Sequence, residues 1–289
     1  MSRKFILVES GATKSEWRIV DENGRTVRQA LRPGMNVSTM KMEDIKEIIS
    51  GSFSVEGFAG CGADGFYLYT AGVVTGGIRE ELSSCVKSVS KIADIDVQDD
   101  LMGAARAVCG HEPGIAAILG TGSNACFYDG SAVHRKVYSG GFILGDEGSG
   151  ARLGKLFLSD YIKGLVPSDV VDDFEREFDA SYPAIVEGVY RSSSPSGYLG
   201  SMAPFILAHK DSPYICNLIQ GNFRDFADRI LGKYDTSAYR VGLVGGFAWA
   251  CRDILLPILE ENGIAVSRIL KAPVEGLCEY HSLDLNAVN

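Results

Sequence analysis

Glycine-rich turns stand at three distant points of the chain: Glu9-Ser10-Gly11-Ala12-Thr13-Lys14, Leu119-Gly120-Thr121-Gly122-Ser123-Asn124 and Val244-Gly245-Gly246-Phe247-Ala248. Each follows a short apolar run that reads as a strand: Phe5–Val8, Ile115–Leu119 and Val241–Val244. With no Cβ in the way, backbone N–H groups at such a turn can close on phosphate oxygens. Two turns of this type, each on a strand, predict two half-domains closing over one nucleotide. Carboxylates supply the other chemistry. Asp99-Asp100 stand at a helix start after a short strand, where the plain reading of Asp100 is a helix N-cap. Asp146-Glu147 are flanked by glycines, with no basic neighbour before Arg152. They read either as a solvated loop or as a constrained turn presenting its side chains.

The elements that must position these groups follow from the patterning. Ser15 to Asp21 alternates, and Asp21-Glu22-Asn23-Gly24 is a hairpin turn, so the first glycine turn joins two antiparallel strands. Ile45, Ile48 and Ile49 mark a short helix, and Phe66–Tyr69 a strand ending in Thr70-Ala71-Gly72. Ile78, Leu82, Cys85, Val86, Val89 and Ala93 keep helical spacing. A brief strand at Ile95–Val97 precedes the helix Leu101–Cys109. Gly110-His111-Glu112-Pro113-Gly114 is the expected domain crossing. The strand–turn–strand pattern then restarts, with Ala125–Tyr128 and a turn at Asp129-Gly130, which points to a duplicated fold. Residues 155–235 read as mainly helical, with Asn222 as N-cap of the face Phe223, Phe226, Ala227, Ile230 and Leu231, and with Ser192–Gly197 as a loop. After the strand Arg240–Val244, Phe247 opens a helix that Pro257 should kink or split.

Composition narrows the function classes. A chain of 289 residues exceeds the usual single core, so two domains are expected. The net charge of −9 and pI near 5.0 argue against nucleic acid or an anionic membrane as partner. No stretch has the apolar length of a membrane span. The N-terminal run Phe5–Val8 is too short for a signal-peptide core, which leads to the expectation of a cytoplasmic protein. The seven cysteines are odd in number, never spaced as CxxC, and read as reduced core residues. A Walker A loop is excluded, because Gly11-Ala12-Thr13-Lys14-Ser15 lacks its Gly-Lys pair. A Rossmann turn at Gly120-x-Gly122-x-x-Ala125 fails because a strand follows where that motif needs a helix.

Taken with Gly145-Asp146-Glu147-Gly148-Ser149-Gly150, these motifs resemble the BadF/BadG/BcrA/BcrD-type ATPases and N-acetylglucosamine kinases of the actin-like ATPase and sugar-kinase superfamily, over nearly the whole length. The resemblance implies an α/β fold of two similar ribonuclease-H-like domains with a central nucleotide cleft. The domains expected are 1–112, rejoined by a C-terminal helix over 275–289 after the return point Pro273–Leu277, and 113–274 with a helical insertion. It implies ATP and Mg²⁺. Gly11, Ala12, Thr13 and Lys14 correspond to the first phosphate loop, Gly120, Thr121 and Gly122 to the second, and Gly245 and Gly246 to the adenosine-side turn. Asp100 stands where such kinases keep the aspartate that takes the proton of the attacking sugar hydroxyl, with Asp99 the less favoured candidate. Asn36, Ala71, Gly72, Asn124, Gly145 and Asp146 correspond to sugar contacts, while Asn36, after Pro33-Gly34, reads nearly as well as a turn residue.

One position departs from the family pattern. Glu9 stands where an Asp usually holds Mg²⁺, commonly through water, so the implied metal groups are Glu9 and Asp100. The added methylene shifts metal geometry. The implied activity is ATP-dependent phosphorylation of an amino sugar, foremost N-acetylglucosamine or a related N-acetylhexosamine at its 6-hydroxyl. The partners implied are that sugar and ATP, and a homodimer is compatible. One rival is a dehydratase-activating ATPase, which needs cysteines shared around an iron–sulfur cluster, whereas Cys126 reads as buried in a strand. The other rival is a non-catalytic nucleotide or sugar sensor.

Overall fold

The computed structural model describes residues 3–11, 14–37, 40–54, 57–58, 60–73 and 75–287. The chain divides into two compact units, Met1–Glu112 with Gly130–Ala132 and Ala272–Asn289, and Pro113–Asp129 with Val133–Lys271. In the first, β1 (Lys4–Ser10), β2 (Lys14–Asp21), β3 (Thr26–Pro33), β4 (Gly65–Thr70) and β5 (Asp94–Gln98) form a five-stranded sheet in the order β3-β2-β1-β4-β5. The hairpin strands are antiparallel, while β4 and β5 run parallel to β1. The central strand is buried on both faces, Phe5, Ile6, Leu7 and Val8 all at 0% exposure, which explains its unbroken apolar run. Helices α1 (Met42–Phe53) and α2 (Gly76–Val89) connect β3 to β4 and β4 to β5, and α3 (Asp100–Cys109) follows β5. The core joins Ile6, Val8 and Phe66 of the sheet to Ile45, Ile49 and Leu82 of the helices, with Trp17 edge-on to Phe53.

The second unit repeats this plan. Its strands β6 (Gly114–Leu119), β7 (Ser123–Tyr128), β8 (Val133–Val137), β9 (Val241–Val244) and β10 (Val266–Leu270) are ordered β8-β7-β6-β9-β10, with the same directions. Between β8 and β9 lie α4 (Gly141–Leu144), α5 (Gly150–Tyr161), α6 (Ser168–Glu177), α7 (Tyr182–Tyr190), α8 (Pro195–Gly200), α9 (Ala203–Ala208) and α10 (Pro213–Arg229). Helices α11 (Gly246–Ala250) and α12 (Arg252–Glu261) follow β9. The fold is α/β, two ribonuclease-H-like domains of the actin-like ATPase class.

Helix α13 (Val274–Ala287) returns to the first unit and packs on α3, where a Cβ on Gly276 would stand 2.2 Å from the Ala107 carbonyl oxygen. Gly276 therefore permits the close approach.

Four local expectations are corrected. Helix α10 begins at Pro213, whose missing N–H falls where none is needed, so Asn222 lies mid-helix and caps nothing. Pro195 starts α8 in the same way, which shortens the expected Ser192–Gly197 loop. The break after β9 falls at Cys251, and Pro257 sits inside α12, where it forfeits one bond to the carbonyl of the exposed Asp253. Helix α2 stops at Val89 because Ser90 is extended, which leaves Ala93 outside.

Candidate active site

In each unit the chemically equipped residues gather where the parallel strands end. In the first, Glu9 and Ser10 close β1, Thr70 closes β4 before Ala71 and Gly72, and Asp99-Asp100 follow β5. Asp99 is the N-cap of α3, its carboxylate accepting the Met102 N–H at 2.7 Å. The capping role read for Asp100 therefore belongs to its neighbour, and Asp100 is the first helical residue. A carboxylate in the first turn is favoured by the helix dipole. Helix α3 is itself anchored. Arg106 donates to Asp96 at 2.7 Å and to the Tyr69 phenol at 2.8 Å. The Tyr69 oxygen lies 2.8 Å from Nε2 of the buried His281, which stacks on Tyr67 at 3.8 Å. With Arg106 donating to the phenol oxygen, its O–H is left to donate to a neutral imidazole. Burial and the Arg106 charge hold His281 well below its ordinary range.

Glu9 is the electrostatic centre of this edge. Its carboxyl is pushed up to about 7, foremost by burial and then by the charges of Glu16 and Asp100, against a lowering by Lys14. Glu16 stands directly across the hairpin from Glu9 and receives the Arg18 Nε–H at 2.6 Å. Arg18 in turn donates to both oxygens of Glu275 on α13, at 2.7 and 3.0 Å. Like charges this close are relieved by a cation, so Glu9 and Asp100 fit a hard divalent metal. Among the described residues no group of three or more His, Cys, Asp or Glu is arranged to bind one by itself. Such a site would take its remaining oxygens from water and phosphate.

Asn36 belongs to a loop clamped onto this edge. Ser10 and Thr70, paired across β1 and β4, turn buried hydroxyls onto Met35. Ser10 Oγ accepts the Met35 N–H at 2.7 Å and donates to its carbonyl at 3.1 Å, and Thr70 donates to the same carbonyl at 2.6 Å. The Val37 N–H donates to the Ala71 carbonyl at 3.1 Å, which sets Asn36 beside Ala71-Gly72. Gly11 and Lys14 join through a 3.0 Å backbone bond, and Ala12 and Thr13 lie outside the described residues. A cavity of about 550 Å³ lined by Phe53, Phe58, Cys61 and Lys91 precedes β4 and β5, at the opposite end of the sheet from Glu9 and Asp100.

In the second unit the glycine turn and the acidic turn form one structure. Gly120 N–H donates to the Gly122 carbonyl at 2.9 Å, and the first N–H groups of α5, from Gly150 and Ala151, donate to the Gly120 and Thr121 carbonyls at 2.9 and 3.0 Å. Asp146 is 6% exposed and adopts a left-handed φ of 56°, uncommon for a residue with a Cβ. Its carboxylate accepts the Ser123 N–H at 3.3 Å, and a Cβ on Gly122 would stand 3.1 Å from it. Burial raises the Asp146 carboxyl, opposed by bonds from Ser123 and Ser139. Gly145 is required because a Cβ there would lie 1.8 Å from the Ser139 carbonyl oxygen. Asn124 is the second residue of β7 and turns its side-chain oxygen to the Ala125 N–H. Gly245, at φ 136°, meets the Leu119 backbone where a Cβ would be 2.2 Å from the carbonyl oxygen, while Gly246 faces open space. Sequence reasoning missed Ser10, Thr70 and Asn222 as holders of these loops.

Paired ribonuclease-H-like units with glycine turns at their strand ends define the actin-like ATPase and sugar-kinase fold. No protein-family model matches the chain, and no curated protein matches it significantly. Solved structures do. A protein of Porphyromonas gingivalis, provisionally named an N-acetylglucosamine kinase, is 33% identical over 97% of this chain and 99% of its own, with a TM-score of 0.90. A Chromobacterium violaceum protein of the same provisional name is 20% identical, covers 96% and 98%, and has a TM-score of 0.74. A ROK-family glucokinase of Streptomyces griseus, solved with glucose and AMPPNP, is 18% identical over 98% of both chains at 0.59 and shares the fold. The chain belongs to the BadF-type sugar kinase family.

Proposed function

We propose that the protein transfers the γ-phosphoryl group of ATP to a hydroxyl of an N-acetylhexosamine, foremost the 6-hydroxyl of N-acetylglucosamine. The observation that carries this reading is the pairing of Asp100 with Glu9 at the carboxyl edge of the first sheet. Asp99 takes the capping duty of α3, and Asp100 is held at a rigid helix start. In the reaction the sugar oxygen attacks the γ-phosphorus, the bond from that phosphorus to the β-γ bridging oxygen breaks, and the hydroxyl proton passes to the Asp100 carboxylate. Asn36, Ala71 and Gly72 in the first unit, and Asn124, Gly145 and Asp146 in the second, hold the sugar. Gly11, Lys14 and the Gly120–Gly122 backbone hold phosphate, and Gly245-Gly246 face the nucleoside. Glu9 and Asp100 would hold Mg²⁺, which supplies charge neutralisation on the phosphates when bound. Exclusion of water from the bound ATP and sugar would suppress hydrolysis.

The provisional names of the P. gingivalis and C. violaceum proteins support an acetylated amino sugar. The test is ADP release from Mg-ATP with N-acetylglucosamine, N-acetylmuramic acid, N-acetylmannosamine, glucosamine, glucose and no sugar. Release that depends on one acetylated hexosamine is expected. Equal release with and without sugar would replace the kinase with an ATPase.

A further inference from the structure

Asn222 is fully buried in the middle of α10, beside the equally buried Ile219, Phe223 and Phe226. An amide in such surroundings is costly unless both its ends are bonded. Both are, and neither to its own helix. Oδ1 accepts the Gly148 N–H at 3.0 Å, and Nδ2 donates to the Ser149 carbonyl at 3.1 Å. Those are the residues that leave the acidic turn and enter α5. Gly148, at φ 80°, also packs on α10 one turn further along, where a Cβ would stand 2.8 Å from Phe226. Ser149 then caps α5 by accepting the Arg152 N–H at 3.1 Å, and the next two N–H groups grip the Gly120 and Thr121 carbonyls.

We infer that Asn222 is a positioning residue through which the helical insertion holds the Asp146–Ser149 turn, and with it the second glycine turn, in the geometry that receives the sugar. The functional half of this inference rests on the kinase reading above. No other side chain of that length presents a donor and an acceptor side by side, so each substitution has a distinct consequence. Asn222→Asp keeps an acceptor for Gly148 and sets a carboxylate oxygen against the Ser149 carbonyl. Asn222→Leu keeps the branched skeleton, with bulkier methyl ends, and abandons both bonds.

Two readouts test this on the full chain. Hydrogen exchange of peptides spanning 145–151 is expected to quicken in the order Asn, Asp, Leu, while β6 and β9 keep their protection. The KM for the sugar is expected to rise at least about tenfold in Asn222→Leu (1.4 kcal/mol) and less in Asn222→Asp, and the Kd for AMPPNP is expected to rise in the same order, because the second glycine turn is held through the same residues. A residue that merely fills space would be replaced well by leucine. Unchanged exchange and an unchanged KM in a folded Asn222→Leu protein would overturn the inference. If that variant does not fold, unchanged exchange in Asn222→Asp does the same. Exchange is read without any substrate, so the clamp stands or falls apart from the activity. A wild-type protein without sugar-dependent turnover sinks the kinase reading alone.

Discussion

At the end of β1 the described residues of the first glycine turn meet through one backbone bond, Gly11 to Lys14. At the end of β6 the second turn is bonded within itself, gripped by two N–H groups of α5 and braced by Asp146 through Ser123. Strand order and directions are the same in both units, so topology does not cause the difference. The cause is what each unit adds to the shared plan. The second unit inserts the segment α5–α10, and Asn222 and the α5 N-terminus spend their hydrogen bonds on the site loops. The first unit spends its bonds on the Met35 loop, through Ser10 and Thr70, and crowds carboxylates at Glu9, Glu16 and Asp100. One half supplies fixed backbone dipoles. The other crowds negative charge, which under the proposed function Mg²⁺ would offset.

That contrast can be broken at matched positions. Ala71 follows β4 with a side chain in place, whereas Gly245 follows β9 where a Cβ would collide with Leu119. Gly245→Ala should destabilise the protein by about 4 kcal/mol, through a contact that cannot relax and a φ that alanine resists. Urea denaturation measures it.

Next comes the charge on Glu9. Its folded carboxyl is raised from 4.5 to about 7, so the native state keeps a proton that the unfolded chain releases. The stability Glu9 contributes is complete below about pH 4.5 and is lost as pH rises to about 7, a total of about 3 kcal/mol. His281 runs the other way: held below its ordinary 6.5, it contributes stability above that pH that fades on acidification. The Tm of the metal-free wild type minus that of Glu9→Gln isolates the first effect. It should fall between pH 5 and 7.5, and a flat difference would refute the assignment.

Asp146→Ala removes the brace of the second turn together with a proposed sugar contact. A loss of about a hundredfold in kcat/KM for the sugar is expected, from two interactions of a charged group at about 1.5 kcal/mol each. Smallest is Ser10→Ala, which frees the Met35 N–H. It should lower stability by about 1–2 kcal/mol and raise the sugar KM through Asn36, with the Kd for AMPPNP unchanged.

The sequence made much of this legible. Apolar runs closed by glycine turns mark β1, β6 and β9, and the repeated strand–turn–strand pattern announces the duplicated sheet. Capping by Asp99 was one residue away from the expected Asp100, because adjacent aspartates satisfy the same rule. Asn222 could not be read, since its partner Gly148 lies 74 residues away and a short polar residue before an apolar helical face also fits an N-cap. Ser10 and Thr70 were equally silent: serine and threonine hydroxyls at strand ends are common, and only the folded register turns both onto Met35.

The most direct test of the central claim is single-turnover transfer of the γ-phosphoryl group to N-acetylglucosamine by wild type and Asp100→Asn. Loss of the base should slow transfer at least about a hundredfold, while sugar and AMPPNP affinities stay within a few fold. Transfer at the wild-type rate by a correctly folded Asp100→Asn protein would contradict the account.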